Sequence, residues 1–425
     1  MNLLHSLSVS LRAPRWLPAL ALLPLVACGG GDNPHADAGY TTMGMPGIPS
    51  PTRVGANLVF ADVSINDVPG GRLGIDTGSP IMLLDAAKFP GLTLPTTTQV
   101  TANVTAGTLT IDSVPLLQVQ IGSPMDPLNF AGLFGGNVMQ QFPVRLDYAH
   151  PSTAFRLGMP AMEMNVDGVE VPGAAVAFKL EGGGRAQLNG TLINFPATRI
   201  PVDVDVEGTL HHFILDTGAS ETTIRATLFD TLTTDGRSIL TGLPISTVAG
   251  PTMGRVTRVR SLTVAGTTVT TPVVMTIGDD IINTIQGEVG HPVDGLLGGN
   301  FLREFMVTID YPGGMLHLQR YTSAQIVDEF QRVGFELGGG AGAHRYSIGA
   351  LYQGTDAQRK MLAEGDEIVS VDGTGLDALD SVTADDMLNG MVGATHAIGL
   401  GAAQAPGLSN TTIDVLIEDL VPPPQ

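Results

Sequence analysis

Cysteine is nearly absent from this chain, with Cys28 as the single copy among 425 residues, so no disulfide can close within it. Basic residues are also few: 21 Lys and Arg stand against 41 Asp and Glu, which gives a net charge of −20. A surface this acidic repels phosphate backbones, and the sequence predicts no nucleic-acid partner. The chain has no His-Glu-x-x-His zinc motif, no phosphate loop and no Gly-x-Ser-x-Gly elbow. Neither a metal nor a cofactor is therefore predicted.

Long apolar runs are missing as well, because the run from Trp16 to Val26 has 11 residues and a membrane-spanning helix needs about 20. Arg12 and Arg15 precede this run, and small residues end it, which predicts an export signal over residues 1–27. Its end, Leu25-Val26-Ala27-Cys28, resembles the lipobox of bacterial lipoproteins. The resemblance implies that Cys28 is lipidated and that the protein is anchored in the bacterial cell envelope, with the outer membrane or periplasm favoured. The alternative is an ordinary secretory signal followed by an incidental cysteine.

The rest of the composition favours strands and turns over helical bundles. Hydrophobic residues make up 43% and charged residues 15%, while 54 glycines and 29 prolines supply turns. Residues 28–50 are rich in Gly, Pro and Ala and contain no Lys or Arg, which predicts a flexible tether. At this length the remainder is long enough for two or three domains.

An internal repeat is the strongest feature of the sequence. Asp-Thr-Gly occurs at residues 76–78 and 216–218, each time after a stretch that alternates apolar and polar residues. Gly-Gly-Asn follows at 135–137 and 298–300. The first motifs are 140 residues apart and the second 163 apart, so the second copy carries 23 additional residues between its motifs. Such an insertion is expected in loops.

The two Asp-Thr-Gly loops, completed by Leu133-Phe134-Gly135 and Leu296-Leu297-Gly298, resemble the aspartic peptidase superfamily of pepsin and retroviral types. The resemblance implies a mainly β, bilobal β-barrel fold, with an N-terminal lobe over 51–190 and a C-terminal lobe over 191–322. It also implies that Asp76 and Asp216 form the catalytic pair. The residues expected to support the catalytic loops are Thr77, Gly78, Ser79, Thr217, Gly218, Gly135 and Gly298. Among them Ser79 is expected to have its hydroxyl within reach of Asp76.

Two carboxylates that meet cannot both stay ionised, so they share one proton and can activate a water molecule against a peptide bond. The predicted function is therefore aspartic endopeptidase, acting on protein or peptide substrates, with a monomer presumed. The alternative is an envelope lipoprotein that binds peptides on this scaffold without cleaving them. Pepsin-type enzymes carry a tyrosine on a flap over the pair, and no tyrosine lies between Gly78 and Gly135. Candidate flaps are Thr97–Thr110 and Val248–Arg260.

The composition changes after Tyr321, and residues 331–421 resemble a PDZ domain with a small α+β fold. The spacing of apolar residues predicts helices over Ser323–Val333 and Ala384–Met391. The resemblance implies a peptide-binding loop at Gly334, Phe335, Glu336 and Leu337, beside a strand edge that accepts a peptide. Glu336 is unfavourable beside a terminal carboxylate. The alternative is a module that only packs against the catalytic lobes.

Overall fold

The computed structural model describes residues 40–120, 130–158, 173–188, 191–247, 250–322, 328–339 and 346–424. The predicted export signal over 1–27, the predicted lipidation site Cys28 and residues 323–327 of a predicted helix lie outside the described residues. Among those that are described, no helix is both long and apolar enough to cross a membrane. The same part of the chain contains no group of His, Cys, Asp and Glu arranged to hold a metal ion.

The first lobe is built on an eight-stranded sheet. Its central strands bury alternate apolar side chains, as strands that face a core do. The sheet has the order β1-β7-β5-β8-β4-β3-β2, with β6 paired to both β3 and β7. Its elements are β1 (Thr42–Met43), β2 (Thr52–Gly55), β3 (Leu58–Ile65), β4 (Val68–Ile75), β5 (Met82–Leu84), β6 (Gln99–Ala106), β7 (Leu109–Gln118), β8 (Phe130–Phe134), helix α1 (Gly136–Met139) and the 3-10 turn Ala86–Lys88.

A connecting region leads from the first lobe to the second. It contributes three strands to the sheet that joins the lobes, and it also forms a separate hairpin. These are β9 (Pro143–Asp147), the 3-10 turn Pro151–Thr153, β10 (Phe155–Leu157), β11 (Ala174–Ala177), and the hairpin of β12 (Gly184–Leu188) and β13 (Thr191–Phe195).

The second lobe repeats the first with a nine-stranded sheet in the order β17-β18-β21-β16-β22-β15-β14-β19-β20. The alternating pattern of its first strand explains why it forms: Val202, Val204 and Val206 are buried, and Asp203 between them is exposed. The elements are β14 (Pro201–Val206), β15 (Thr209–Leu215), β16 (Thr222–Ile224), α2 (Ala226–Leu232), the 3-10 turn Thr233–Asp235, β17 (Leu240–Thr247), β18 (Gly250–Arg258), β19 (Ser261–Val264), β20 (Thr267–Thr270), β21 (Val273–Thr276), α3 (Asp280–Val289), β22 (Gly295–Leu297) and α4 (Gly299–Leu302).

A third sheet joins the lobes, with the order β10-β9-β23-β24-β11, where β23 spans Phe305–Asp310 and β24 spans Met315–Arg320. Strands β9 and β23 are equivalent in the repeat and pair antiparallel with each other, for example Val307 with Leu146. The duplicated halves are therefore related by an approximate two-fold axis through this sheet. The mainly β, two-lobed fold predicted from the sequence is confirmed.

Part of the segment predicted as a flexible tether belongs to the first lobe. Thr42 and Met43 form β1 and pair with Ile111 and Thr110 of β7. The side chain of Ser50 is buried. Residues 40–50 are held by main-chain pairing that the glycine- and proline-rich composition does not reveal, so the prediction of a tether is wrong for this stretch.

The C-terminal module has an apolar core of its own, and its helices differ from the predicted ones. Its elements are β25 (Gln331–Arg332), β26 (Phe335–Gly339), β27 (Tyr346–Leu351), α5 (Asp356–Arg359), β28 (Ile368–Val371), β29 (Thr374–Gly375), α6 (Ser381–Asp386), β30 (Thr395–Leu400), β31 (Thr412–Leu416) and β32 (Glu418–Asp419). The helix predicted up to Val333 is wrong at 331–332, which pair with β32 instead. The helix predicted for Ala384–Met391 begins at Ser381, where Asp380 accepts from the Thr383 N–H, and ends at Asp386.

The module is attached to both lobes. Arg53 of the first lobe pairs with Asp380, and the Val382 side chain packs into an apolar cluster of that lobe. Arg258 of the second lobe is buried and pairs with Asp328 at 2.6 Å and Asp419 at 3.4 Å. Separating the module from the second lobe would leave the buried Arg258 without its carboxylate partners, which favours the attached arrangement.

Candidate active site

Each Asp-Thr-Gly loop begins where a central strand of its lobe ends. Asp76 follows β4 and Asp216 follows β15, and each strand runs parallel to the one that leads into the apolar-apolar-Gly segment, β8 or β22. The Asp76 N–H donates to the Phe134 carbonyl at 3.2 Å, and the Asp216 N–H donates to the Leu297 carbonyl at 3.0 Å. These bonds hold each loop against its apolar-apolar-Gly segment, which determines the direction of the aspartate side chain.

Gly135 and Gly298 lie directly against the chain that leaves each catalytic loop. A Cβ atom on Gly135 would lie 2.4 Å from the backbone of Ile81, and one on Gly298 would lie 2.5 Å from the backbone of Glu221. Real Cβ atoms do not approach backbone this closely, so only glycine permits the contact. The glycine at this repeated position therefore determines how closely each Asp-Thr-Gly loop packs against the segment that contains the glycine.

The two loops are cross-braced by threonine. The Thr77 hydroxyl accepts from the Thr217 N–H at 3.0 Å and donates to the Leu215 carbonyl at 2.9 Å. The Thr217 hydroxyl accepts from the Thr77 N–H at 3.0 Å and donates to the Ile75 carbonyl at 2.8 Å. All four bonds are buried, and they fix one loop relative to the other.

The structure brings Asp76 and Asp216 together. Each side chain is 1% exposed. A Cβ atom on Gly78 would lie 2.4 Å from Oδ1 of Asp216, and one on Gly218 would lie 2.4 Å from Cγ of Asp76. Each glycine therefore makes room for the carboxyl group of the opposite loop, so these four residues form one compact unit.

Burial raises the pKa of both carboxyl groups, and the charge of Asp216 raises the pKa of Asp76 further. Two buried carboxyl groups this close cannot both stay ionised, so one of them carries a proton. The Gly218 N–H donates to Asp216 Oδ1 at 3.0 Å and stabilises Asp216 as the anion. The arrangement is a proton-sharing carboxyl pair that titrates as one unit.

Ser79 does not contact the pair in the way expected from the sequence. Its hydroxyl donates to the Ile81 carbonyl at 2.8 Å, two residues further along the same loop. The expectation of a hydrogen bond to Asp76 is therefore wrong. A short local turn satisfies the hydroxyl first, as is common for serine.

Asn137 and Asn300 support the catalytic loops and were not singled out from the sequence. Asn137 Oδ1 accepts from the Met82 N–H at 2.8 Å, and Asn300 Oδ1 accepts from the Thr222 N–H at 2.8 Å. Met82 and Thr222 are 140 residues apart, the same separation as Asp76 and Asp216. The repeated Gly-Gly-Asn motif was the signal that could have identified both asparagines.

A buried cation beside the pair was also missed. Arg199 is 1% exposed, and its guanidinium donates to the carbonyl oxygen of Gly78 in the first catalytic loop. The same group pairs with Glu288 of α3, at 2.8 Å from Nε. Its positive charge lowers the pKa of Asp76 and of Asp216, against the larger effect of burial, which raises both.

The two candidate flaps have different structures. Thr97–Thr110 contains β6, whose Val100, Ala102 and Val104 are buried in the core of the first lobe. This stretch is therefore not a free flap. Val248–Arg260 contains β18, which forms a hairpin with β17. This hairpin has no counterpart in residues 85–98 of the first lobe, so it takes up most of the 23 additional residues of the second copy.

The loop predicted to bind peptides lies in the C-terminal module, at the start of β26. Gly334, Phe335, Glu336 and Leu337 are all buried. Glu336 accepts from the Tyr352 hydroxyl at 2.8 Å and lies 3.2 Å from the guanidinium of Arg332. Burial raises the pKa of Glu336 to about 7. Arg332 also pairs with Asp385 of α6 at 2.7 Å, so this cation already has two carboxylate partners.

A family model and solved structures match parts of this chain. Residues 202–301 match a family model described as aspartyl protease. A comparison with curated proteins found no match. The matching solved structures include the crystal structure of aspartic proteinase from Irpex lacteus, which is 15% identical over 66% of this chain and 98% of that chain, with a TM-score of 0.40.

The family match covers Asp216, Thr217 and Gly218 and ends just after Gly298. It supports an aspartyl protease identity for the second lobe. The first lobe repeats the same motifs and presents Asp76 to Asp216.

Proposed function

We propose that this protein is an aspartic endopeptidase that hydrolyses peptide bonds through Asp76 and Asp216. The observation that carries the proposal is the contact between the two buried carboxyl groups across braced, glycine-lined loops. Two carboxyl groups with a purely structural role would not need a glycine opposite each of them. The fold and the match of residues 202–301 support the same class of enzyme.

The mechanism follows from the shared proton. The ionised member, favoured at Asp216 by the Gly218 N–H, takes a proton from a water molecule bound between the two carboxyls. The protonated member, Asp76, donates its proton to the carbonyl oxygen of the scissile bond. A tetrahedral diol forms and collapses as the leaving amine takes a proton, which returns the pair to its starting state. Every step moves a proton between the pair, water and substrate, and no covalent intermediate with the enzyme is formed.

The test is a cleavage assay on the mature soluble chain, beginning after Cys28. Unfolded protein is incubated with the enzyme at mildly acidic and neutral pH, and new peptide termini are identified by mass spectrometry. A statine-type peptide, which mimics the diol, is expected to suppress them. Binding of unfolded protein without new termini would instead support the alternative, a peptide-binding lipoprotein without catalytic activity.

We further propose that the C-terminal module recruits substrates in the manner of a PDZ domain. Within the described residues β26 pairs only with β27, and its other edge faces α6. An extended peptide can add to such an edge through main-chain hydrogen bonds. Because Arg332 is already paired with Glu336 and Asp385, the site is built for an internal segment of a protein more than for a free C-terminus.

A matched pair of peptides tests this preference. At pH 8.5 a peptide with a free C-terminal carboxylate and its amidated form should bind the full chain with affinities within about threefold of each other. In Glu336→Gln, Arg332 loses one of its two anionic partners. The affinity of the chain for the free-carboxylate peptide should therefore rise about tenfold. At pH 5.5, below the raised pKa of Glu336, the wild-type protein should show part of this gain because Glu336 is protonated there. A strong preference of the wild-type protein for the free carboxylate at pH 8.5 would contradict the proposal.

We also propose that the protein is a bacterial envelope lipoprotein anchored through Cys28. The short apolar run before a single cysteine supports this. In the native host, Cys28→Ser should move the protein from the membrane fraction to the soluble fraction while cleavage activity is unchanged. Ala27→Ser, which leaves the cysteine in place, is the matched control. A Cys28→Ser protein that stays in the membrane fraction would rule out the lipid anchor.

A further inference from the structure

The two halves of the active site differ in charge although their folds are duplicated. Phe60 pairs with Gly74, and Pro201 pairs with Ile214, the residues two positions before each catalytic aspartate. Counting two residues back from Phe60 and Pro201 gives Leu58 in the first lobe and Arg199 in the second. The equivalent position is therefore apolar in the first lobe, as Leu58, and permanently positive in the second, as Arg199.

The neighbours confirm this equivalence. A Cβ atom on Gly136 would touch Thr198, and a Cβ atom on Gly299 would touch Asn57. Gly136 and Gly299 are equivalent in the repeat, and Thr198 and Asn57 directly precede the two residues compared. Leu58 is buried among apolar side chains, whereas Arg199 is buried with Glu288 as its ion-pair partner.

Burying an arginine is costly unless its charge is paired and its nitrogens are hydrogen-bonded. Here Nε and one terminal nitrogen donate to Glu288, and the other terminal nitrogen donates to the Gly78 carbonyl. The main chain of Arg199 also pairs with Glu181 in both directions, at 2.9 and 3.0 Å. The side chain therefore has one defined position, set by three separate segments of the chain.

Gly78 links this cation to the catalytic pair. Its carbonyl oxygen accepts from Arg199, while its α-carbon faces the Asp216 carboxyl so closely that no side chain would fit between them. A movement of Gly78 would change the separation of the two carboxyls directly. The carboxylate that pairs with the Arg199 guanidinium is that of Glu288 in α3. Glu181 pairs with Arg199 through the main chain, and its side chain binds His291. The neutral hydroxyl of Tyr311 lies near Asp76.

We propose, on the basis of the proposed peptidase function, that Arg199 is a positioning residue that holds the Gly78 loop and sets the pH range of the Asp76–Asp216 pair. It acts through the Gly78 carbonyl and through its charge, and it does not touch the substrate. A fixed cation favours the singly ionised form of the pair, which is the active form, at lower pH than the pair alone would reach. The direction agrees with the lowering that Arg199 exerts on the pKa of both carboxyls.

The test compares pH profiles of kcat/KM. In Arg199→Leu/Glu288→Leu the ion pair is removed as a unit, so no buried charge is left without a partner and the fold is retained. Both limbs of the bell-shaped profile should move to higher pH by about one unit, which means an about tenfold loss of kcat/KM on the acid limb. Arg199→Lys, which keeps the charge, should restore most of the acid limb. Arg237→Leu, at another buried ion-paired arginine of the same lobe, should leave both limbs in place.

A uniform fall in kcat/KM with unmoved limbs, or no change at all, would overturn the proposal and leave Arg199 a structural residue. Thermal unfolding of each variant shows whether it is folded. If the wild-type protein cleaves nothing, the peptidase proposal fails, and Arg199 is then tested by carboxyl ¹³C NMR of the aspartates, assigned with Asp76→Asn and Asp216→Asn. The titration of the pair should shift upward in the double variant, and an unshifted titration would again overturn the role of Arg199.

Discussion

Asp216→Asn should lower kcat by about 10³-fold or more, and Asp76→Asn should do the same. Either substitution removes one of the two groups that must exchange a proton with water and the scissile carbonyl. The amide is nearly the same size as the carboxyl, so the braced loops keep their geometry. The measurement is the rate of appearance of new peptide termini at the pH optimum of the wild-type protein.

The same variants should be more stable than the wild-type protein at neutral pH. The folded pair binds a proton more tightly than the unfolded chain does, because burial raises the pKa of both groups. Stability is therefore lost as the pH rises above about 4, and an asparagine has no such proton to lose. Asp294→Asn, at a partly exposed aspartate bound to His211, is the matched control and should change neither rate nor stability appreciably. Retained cleavage in either catalytic variant would rule out the carboxyl pair as the catalyst.

Gly218→Ala should lower kcat by about 10²-fold or more while the chain still folds. The added methyl group would lie 2.4 Å from Cγ of Asp76, so the Asp76 carboxyl or the loop must move. A displacement of about 1 Å of a reacting group is enough for a loss of this size. The glycine is needed for space alone, because its backbone conformation is one that alanine also adopts. The effect is measured as kcat, with circular dichroism and thermal unfolding to establish the fold.

Gly287→Ala provides the control for the glycine substitution. This glycine lies within α3, and a Cβ atom there would meet nothing within 4 Å. Alanine favours helix over glycine by up to about 1 kcal/mol, so the variant should be as active as the wild-type protein and slightly more stable. Equal activity of Gly218→Ala and Gly287→Ala would mean that the two carboxyls do not sit as closely as the loop geometry requires.

Motifs and alternation were sufficient to predict the duplicated β fold and the positions of the two Asp-Thr-Gly loops. Val202, Val204 and Val206 alternate with polar residues, and this local pattern determines a half-buried strand wherever it occurs. The sequence predicts Gly78 and Gly218 as supporting residues of their own loops. That each glycine also makes room for the opposite aspartate required the position of the other lobe.

Other features depended on partners far along the chain. Residues 331–332 have apolar neighbours at helical spacing but form a strand, because β32, more than 80 residues later, supplies the hydrogen bonds. The stretch before Pro51 is rich in glycine and proline, yet Thr42 and Met43 pair with the edge strand β7. Local sequence cannot reveal such pairing, because the stabilising partner is not among the neighbouring residues.

The sequence alone therefore determined the repeat, the β class and the identity of the two carboxyls, since each is encoded in spacing and residue type over short stretches. Only the tertiary structure decided that Arg199 lies against the Gly78 carbonyl and that Leu58 occupies the equivalent position in the first lobe. The physical reason is that a buried charge is tolerated where Glu288 and a carbonyl oxygen converge on it. That convergence of three distant segments exists only once the chain has folded.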